Sequence, residues 1–124
     1  MGVLRVKPGV GFGAVLAPAG ARILDVVKRL AAGYPFDVTI TSARDGTHSG
    51  PGDPHHSGQA FDFRTHGLTD DQKALLLRDL HEALYKTPRK FYAFLEAPGT
   101  PNEHIHCQRR KGVTYTVDDY LYNR

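Results

Sequence analysis

Apolar positions along this chain repeat with two different periods. Between Ala21 and Ala32, Ile23, Val26, Val27 and Leu30 recur at three- and four-residue spacing, and Gly33 and Pro35 follow. That spacing predicts one apolar helix face over 21–32, ended by the glycine and proline. A second helix is predicted over 69–86, with Leu76, Leu77, Leu80 and Leu84 as its buried stripe and Pro88 as its stop. Thr69 and Gln72 stand three apart as a capping box, and Asp70 and Asp71 suit the positive end of the helix dipole.

Period two dominates elsewhere. Val38, Thr39, Ile40 and Thr41 form a β-branched run within 37–42, which reads as a strand. Over 60–65, Phe61 and Phe63 alternate with Ala60, Asp62 and Arg64, so Asp62 is expected to point away from the core face. Residues 91–96 read as another strand. Ile105 and Cys107 alternate with His104, His106 and Gln108, and 113–117 is a candidate edge strand. Residues 1–20 are rich in Gly, Ala, Val and Pro and predict an extended arm or a short strand. The stretch 45–58, with four Gly, two Pro and three His, predicts a long loop, a feature that in a compact domain usually serves function. Together these elements predict an α+β fold. A small, mainly antiparallel sheet carries the two helices on its apolar face and leaves its polar face for chemistry. Phe61, Phe63, Ile40, Ile105, Leu77, Leu80, Val26 and Leu30 are the expected core.

At 124 residues, 40 % of them hydrophobic and 23 % charged, the chain reads as one soluble domain spanning 1–124 and expected to be a monomer. Its formal net charge of +3 is mild, and no Lys/Arg run suggests a nucleic-acid groove. Cys107 is the single cysteine, which excludes an internal disulfide and a cysteine-based zinc finger. Apolar runs are too short to cross a bilayer. The start lacks a basic segment followed by a long apolar one, so synthesis in the cytoplasm without a signal peptide is expected.

Histidine sharpens the picture. Four of the seven histidines lie in two segments, His55-His56-Ser57-Gly58-Gln59-Ala60-Phe61-Asp62 and Glu103-His104-Ile105-His106. Two imidazoles and a carboxylate make a three-ligand zinc site with a fourth position open for water, the catalytic pattern. Asp62 and His106, on facing strands with both side chains on the polar face, would come within ligand reach. His55 arrives from the loop past Gly58 and completes the set, while His56 is off by one in extended backbone. Three merely solvated polar residues would not call for the nearby Glu103. A zinc hydrolase needs a carboxylate to take a proton from water and pass it to the leaving amine. Glu103 is the first candidate and Glu96, at the end of the preceding strand, the second.

The pattern His-x-x-Gly-x-Ala-x-Asp followed by His-x-His, here His55, Gly58, Ala60, Asp62, His104 and His106, resembles the zinc D-alanyl-D-alanine carboxypeptidases. That family includes the vancomycin-resistance D,D-dipeptidases and phage L-alanyl-D-glutamate endolysins, in one superfamily with the hedgehog signalling domain. The likeness spans roughly 39–108. It implies Zn2+ on His55, Asp62 and His106, Glu103 as catalytic carboxylate, and Arg44, within Thr41-Ser42-Ala43-Arg44, holding the substrate carbonyl oxygen. His104 would be a polar neighbour orienting substrate or oxyanion. The family's serine two residues before the first ligand is Asp53 here, which alters the support of His55. The resemblance implies a zinc metallopeptidase that hydrolyses peptidoglycan stem peptides, as endopeptidase (endolysin) or carboxypeptidase. A phage or prophage lysis enzyme, made in the cytoplasm and released to the cell wall, is the expected setting. The alternative is a zinc-binding module of the same fold without catalysis. His48, His56 and His66 are expected on loops or the surface, His81 carries no assigned role, and Cys107 is expected in the core.

Overall fold

The computed structural model describes residues 1–11, 18–43, 60–84 and 91–109. Along the chain these form β1 (Leu4–Val6), α1 (Pro18–Ala32), β2 (Val38–Ser42), β3 (Ala60–Arg64), α2 (Asp70–Leu84), β4 (Phe91–Glu96) and β5 (His104–Arg109). The expected 45–58 loop and 113–117 strand lie outside the described residues.

Both helices form for the reasons their sequences carry. In α1, Ile23, Val26, Val27 and Ala31 are fully buried, the stripe that three- and four-residue spacing creates. The helix starts three residues earlier than expected, with Pro18 in the first position, where a missing N–H costs no hydrogen bond. In α2 the capping box is reciprocal: Thr69 N–H donates to Gln72 Oε1 at 3.0 Å and Gln72 N–H to Thr69 Oγ1 at 3.1 Å. Leu76, Leu80 and Leu84 are buried. The Tyr34 hydroxyl, just past α1, donates to Asp79 Oδ2 on α2 at 2.6 Å, which ties the two helices together.

The five strands make one sheet in the order β1-β2-β3-β5-β4. Only the β1–β2 pair is parallel; β2–β3, β3–β5 and β4–β5 are antiparallel. The α+β expectation, with a mainly antiparallel sheet, therefore holds. Ile40, Phe61, Phe63, Phe91, Ala93, Ile105 and Cys107 join the helix residues in one core cluster, against which Leu30 and Leu77 are only partly buried. Burial pushes the Cys107 thiol well above its ordinary range, so it is an inert core residue. β1 reaches the sheet through a close approach: a Cβ on Gly2 would collide with the Phe36 carbonyl oxygen.

Candidate metal centre

Strict alternation sends every second side chain of β3, β4 and β5 to the face opposite the helices. On that face Asp62 is the register partner of His106, Arg64 of His104, Glu96 of His104 and Phe94 of His106. The strands thus converge Asp62, His104 and His106, whose ligand-type atoms all lie within 4.8 Å of one another. Asp62 Oδ1 is 2.8 Å from His106 Nδ1 and 3.6 Å from His104 Nε2. These separations bracket the edge of a tetrahedron around zinc, about 3.3 Å for bonds of about 2.0 to 2.1 Å. The side chains are 14 % exposed at Asp62, 22 % at His104 and 10 % at His106, recessed but still open to solvent.

Each histidine has its other nitrogen occupied. His104 Nδ1–H donates to the Asn102 carbonyl at 2.7 Å, and His106 Nε2–H donates to Gln108 Oε1 at 2.6 Å. Such partners fix the tautomer and aim the remaining lone pair inward, as acceptors beyond the ligand shell do in metal sites. His104 Nε2 and His106 Nδ1, the two nitrogens a metal ion would take, both face Asp62 Oδ1. Glu96 Oε1 adds a further acceptor, 3.0 Å from His104 Nε2. A donor set of this kind suits a shared cation. The arrangement is compatible with a bound metal.

Among the sequence candidates, Asp62 and His106 come together as their alternation predicts, and His104, expected as a neighbour, stands within the cluster. His55 and Arg44 lie outside the described residues, as do Asp53, His48 and His56. Glu103 does not join the cluster. It shares the parity of Ile105 and points to the helix side. There its carboxylate accepts from Gly99 N–H at 2.9 Å and pairs with Lys73 Nζ on α2 at 2.6 Å. The Gly99 N–H first, then the Lys73 ammonium and the Thr65 hydroxyl, pull its pKa down to about 2, so it is firmly ionised and engaged. Glu96, the second candidate, is the carboxylate that shares a face with the cluster.

Sequence reasoning missed Gln108 as the support of His106 and missed an aromatic wall. Phe94, 40 % exposed, and Tyr92 stack with centroids 5.9 Å apart, and the Phe94 ring is 5.4 Å from that of His106. Tyr92, Phe94 and Glu96 do alternate within β4, and that signal was present. His81 on α2 is structural, its Nε2 lying 2.8 Å from the Ala93 carbonyl oxygen. No protein-family model, characterised protein or solved structure matches the chain.

Proposed function

We propose that the chain is a zinc-dependent peptidase acting on the stem peptides of bacterial peptidoglycan. The observation that carries this reading is the convergence of Asp62, His104 and His106 on one open sheet face, each histidine aimed by a partner outside the cluster. The resemblance described above supplies the substrate class. Asp62 and His106 are ligands in both readings. The third donor is His104 by geometry and His55 by the resemblance.

Zinc held by Asp62, His106 and a third donor would supply a Lewis acid for the scissile carbonyl and for a water nucleophile at neutral pH. The remaining work belongs to the chain. Glu96, with a side chain 46 % exposed beside His104, can accept a proton from the attacking water and return it to the leaving amine. Phe94 and Tyr92 offer an apolar surface to one side of the substrate. Arg44 would stabilise the carbonyl oxygen as charge builds on it.

A second reading, metal binding without catalysis, draws on the engagement of Glu103 with Lys73 and Gly99. Digestion of purified peptidoglycan, with mass spectrometry of the products, separates the two. The peptidase reading expects new peptide termini that vanish with chelator and return with zinc. It also expects Glu96→Gln to keep the metal and lose about 10²- to 10⁴-fold in turnover, the usual worth of a positioned acid–base group. Loss of turnover in Glu103→Gln alone would return that role to Glu103. Intact peptidoglycan under a fully metal-loaded protein would leave only the binding module.

A further inference from the structure

The polar sheet face continues past the metal centre. Arg5 is the register partner of Thr39 in the β1–β2 pair. Ile40 faces Phe63 in the β2–β3 pair, so Thr39 comes opposite Arg64 one step along. Arg64 faces His104, and His104 faces Glu96. One row across all five strands therefore reads Arg5, Thr39, Arg64, His104, Glu96, and Lys7 extends β1 on the same side. Arg5, Lys7, Thr39 and Arg64 line an open groove of about 490 Å³. Arg5 shares its charge with Asp37, whereas Arg64 and Lys7 have no acidic partner among the described residues.

We propose that this cationic groove binds a free carboxylate of the peptide substrate next to the scissile bond, so that the enzyme selects stem peptides whose glutamate α-carboxylate is not amidated. The inference rests on the peptidase reading and gives it a direction. Neighbouring strands are about 4.8 Å apart and an extended peptide advances about 3.5 Å per residue. A carboxylate one residue from a bond held at the Asp62–His104–His106 cluster thus falls within reach of the Arg64 guanidinium, whose planar fork donates two hydrogen bonds to a carboxylate. On the other side of the cluster Phe94 and Tyr92 place their rings 5.4 and 6.4 Å from that of His106, an aromatic surface that suits an apolar residue better than an anion. The substrate is therefore oriented with its anionic flank toward β1 and β2 and its apolar flank toward β4.

The test uses two probes, L-alanyl-γ-D-glutamyl-L-lysine with its glutamate α-carboxylate free and the same peptide with that group as a carboxamide. Dissociation constants are measured by titration of the zinc-loaded protein, or KM values where a peptide is cut. The free acid should bind roughly tenfold tighter, the order expected of one charge-assisted contact in an exposed groove. Arg64→Ala should erase the difference with zinc content unchanged, Arg64→Lys should restore part of it, and added salt should narrow it. Equal affinity for the two peptides, a preference that survives Arg64→Ala combined with Lys7→Ala, or no binding of either peptide overturns the proposal. The two readings fail separately. An Arg64-dependent preference for a peptide that is never cut keeps the groove and removes the peptidase. Cleavage of both peptides with equal KM keeps the peptidase and removes the groove.

Discussion

Gln108 is buried and spends its two amide atoms on His106 and the Arg109 carbonyl. Removing a partner that aims a metal-binding imidazole typically costs about 10- to 100-fold in metal affinity. Gln108→Ala should therefore weaken zinc binding by that amount in competition with a chelating indicator. Unchanged affinity would mean that His106 needs no such support. On the opposite face Glu103 makes a different prediction. Its folded pKa lies below its unfolded value, so its bonds to Gly99, Lys73 and Thr65 stabilise the protein above the unfolded value, and the contribution is lost as pH falls from about 4.5 to about 2. Glu103→Gln should flatten that acid limb in denaturant titrations at stepped pH; an acid limb identical to wild type would contradict this role. The two residues also show what could be read from sequence. Asp62 and His106 were legible because alternation alone assigns their face. Glu103 was not, because a separation of three is even-handed in a helix but reverses the face in a strand. The link between Glu96 and His104 depends on the β4–β5 register, which the turn sets and the spacing of residues within each strand does not.

Elements with their own local signals form where those signals lie. The Thr69–Gln72 box starts α2, the alternation of 91–96 gives β4 with those bounds, and the leucine stripe faces the core. Thr69→Ala removes one half of the box and should cost about 1 kcal/mol, seen as a lower denaturant midpoint at constant slope. A midpoint within error of wild type would show that Gln72 suffices. Leu80→Ala, which empties a fully buried position, should cost about 2 to 5 kcal/mol. The hairpin between β4 and β5 carried a weaker signal. Gly99 takes φ +76°, as glycine readily does, but Ala97 takes φ 50°, a region that alanine enters at a cost. Nothing in the apolar pattern foretells it. It is set by the need to turn within Ala97–Glu103, where the Thr100 hydroxyl donates to the Ala97 carbonyl at 2.7 Å. β1 was legible only as a candidate, since three residues with two exposed hold too little pattern to separate a strand from an arm.

At the scale of the whole molecule the sheet order is what sequence periodicity leaves open, because β3 and β5 meet across 39 or more intervening residues and β1 joins in parallel. That pairing would also give metal binding at the cluster a global effect. Asp62 belongs to β3, while His104 and His106 belong to β5, and β3 and β5 sit inside the sheet order. The unfolded chain holds these donors far apart, so zinc bound at this cluster would favour the folded state and stabilise it as a whole. With free zinc at about 100 times its dissociation constant the gain is about 2.7 kcal/mol, a rise of order 10 °C in the melting temperature for a domain of this size. Thermal melts with zinc and with chelator should show that difference in the wild-type protein. It should vanish in Asp62→Ala and His106→Ala, and persist in Glu103→Gln, whose carboxylate lies on the helix side. The same melts assign the third ligand: His104→Ala abolishes the rise if the geometry supplies it, and His55→Ala does so if the resemblance does. A zinc-dependent rise that survives both Asp62→Ala and His106→Ala would place the metal elsewhere and remove the basis of the peptidase reading.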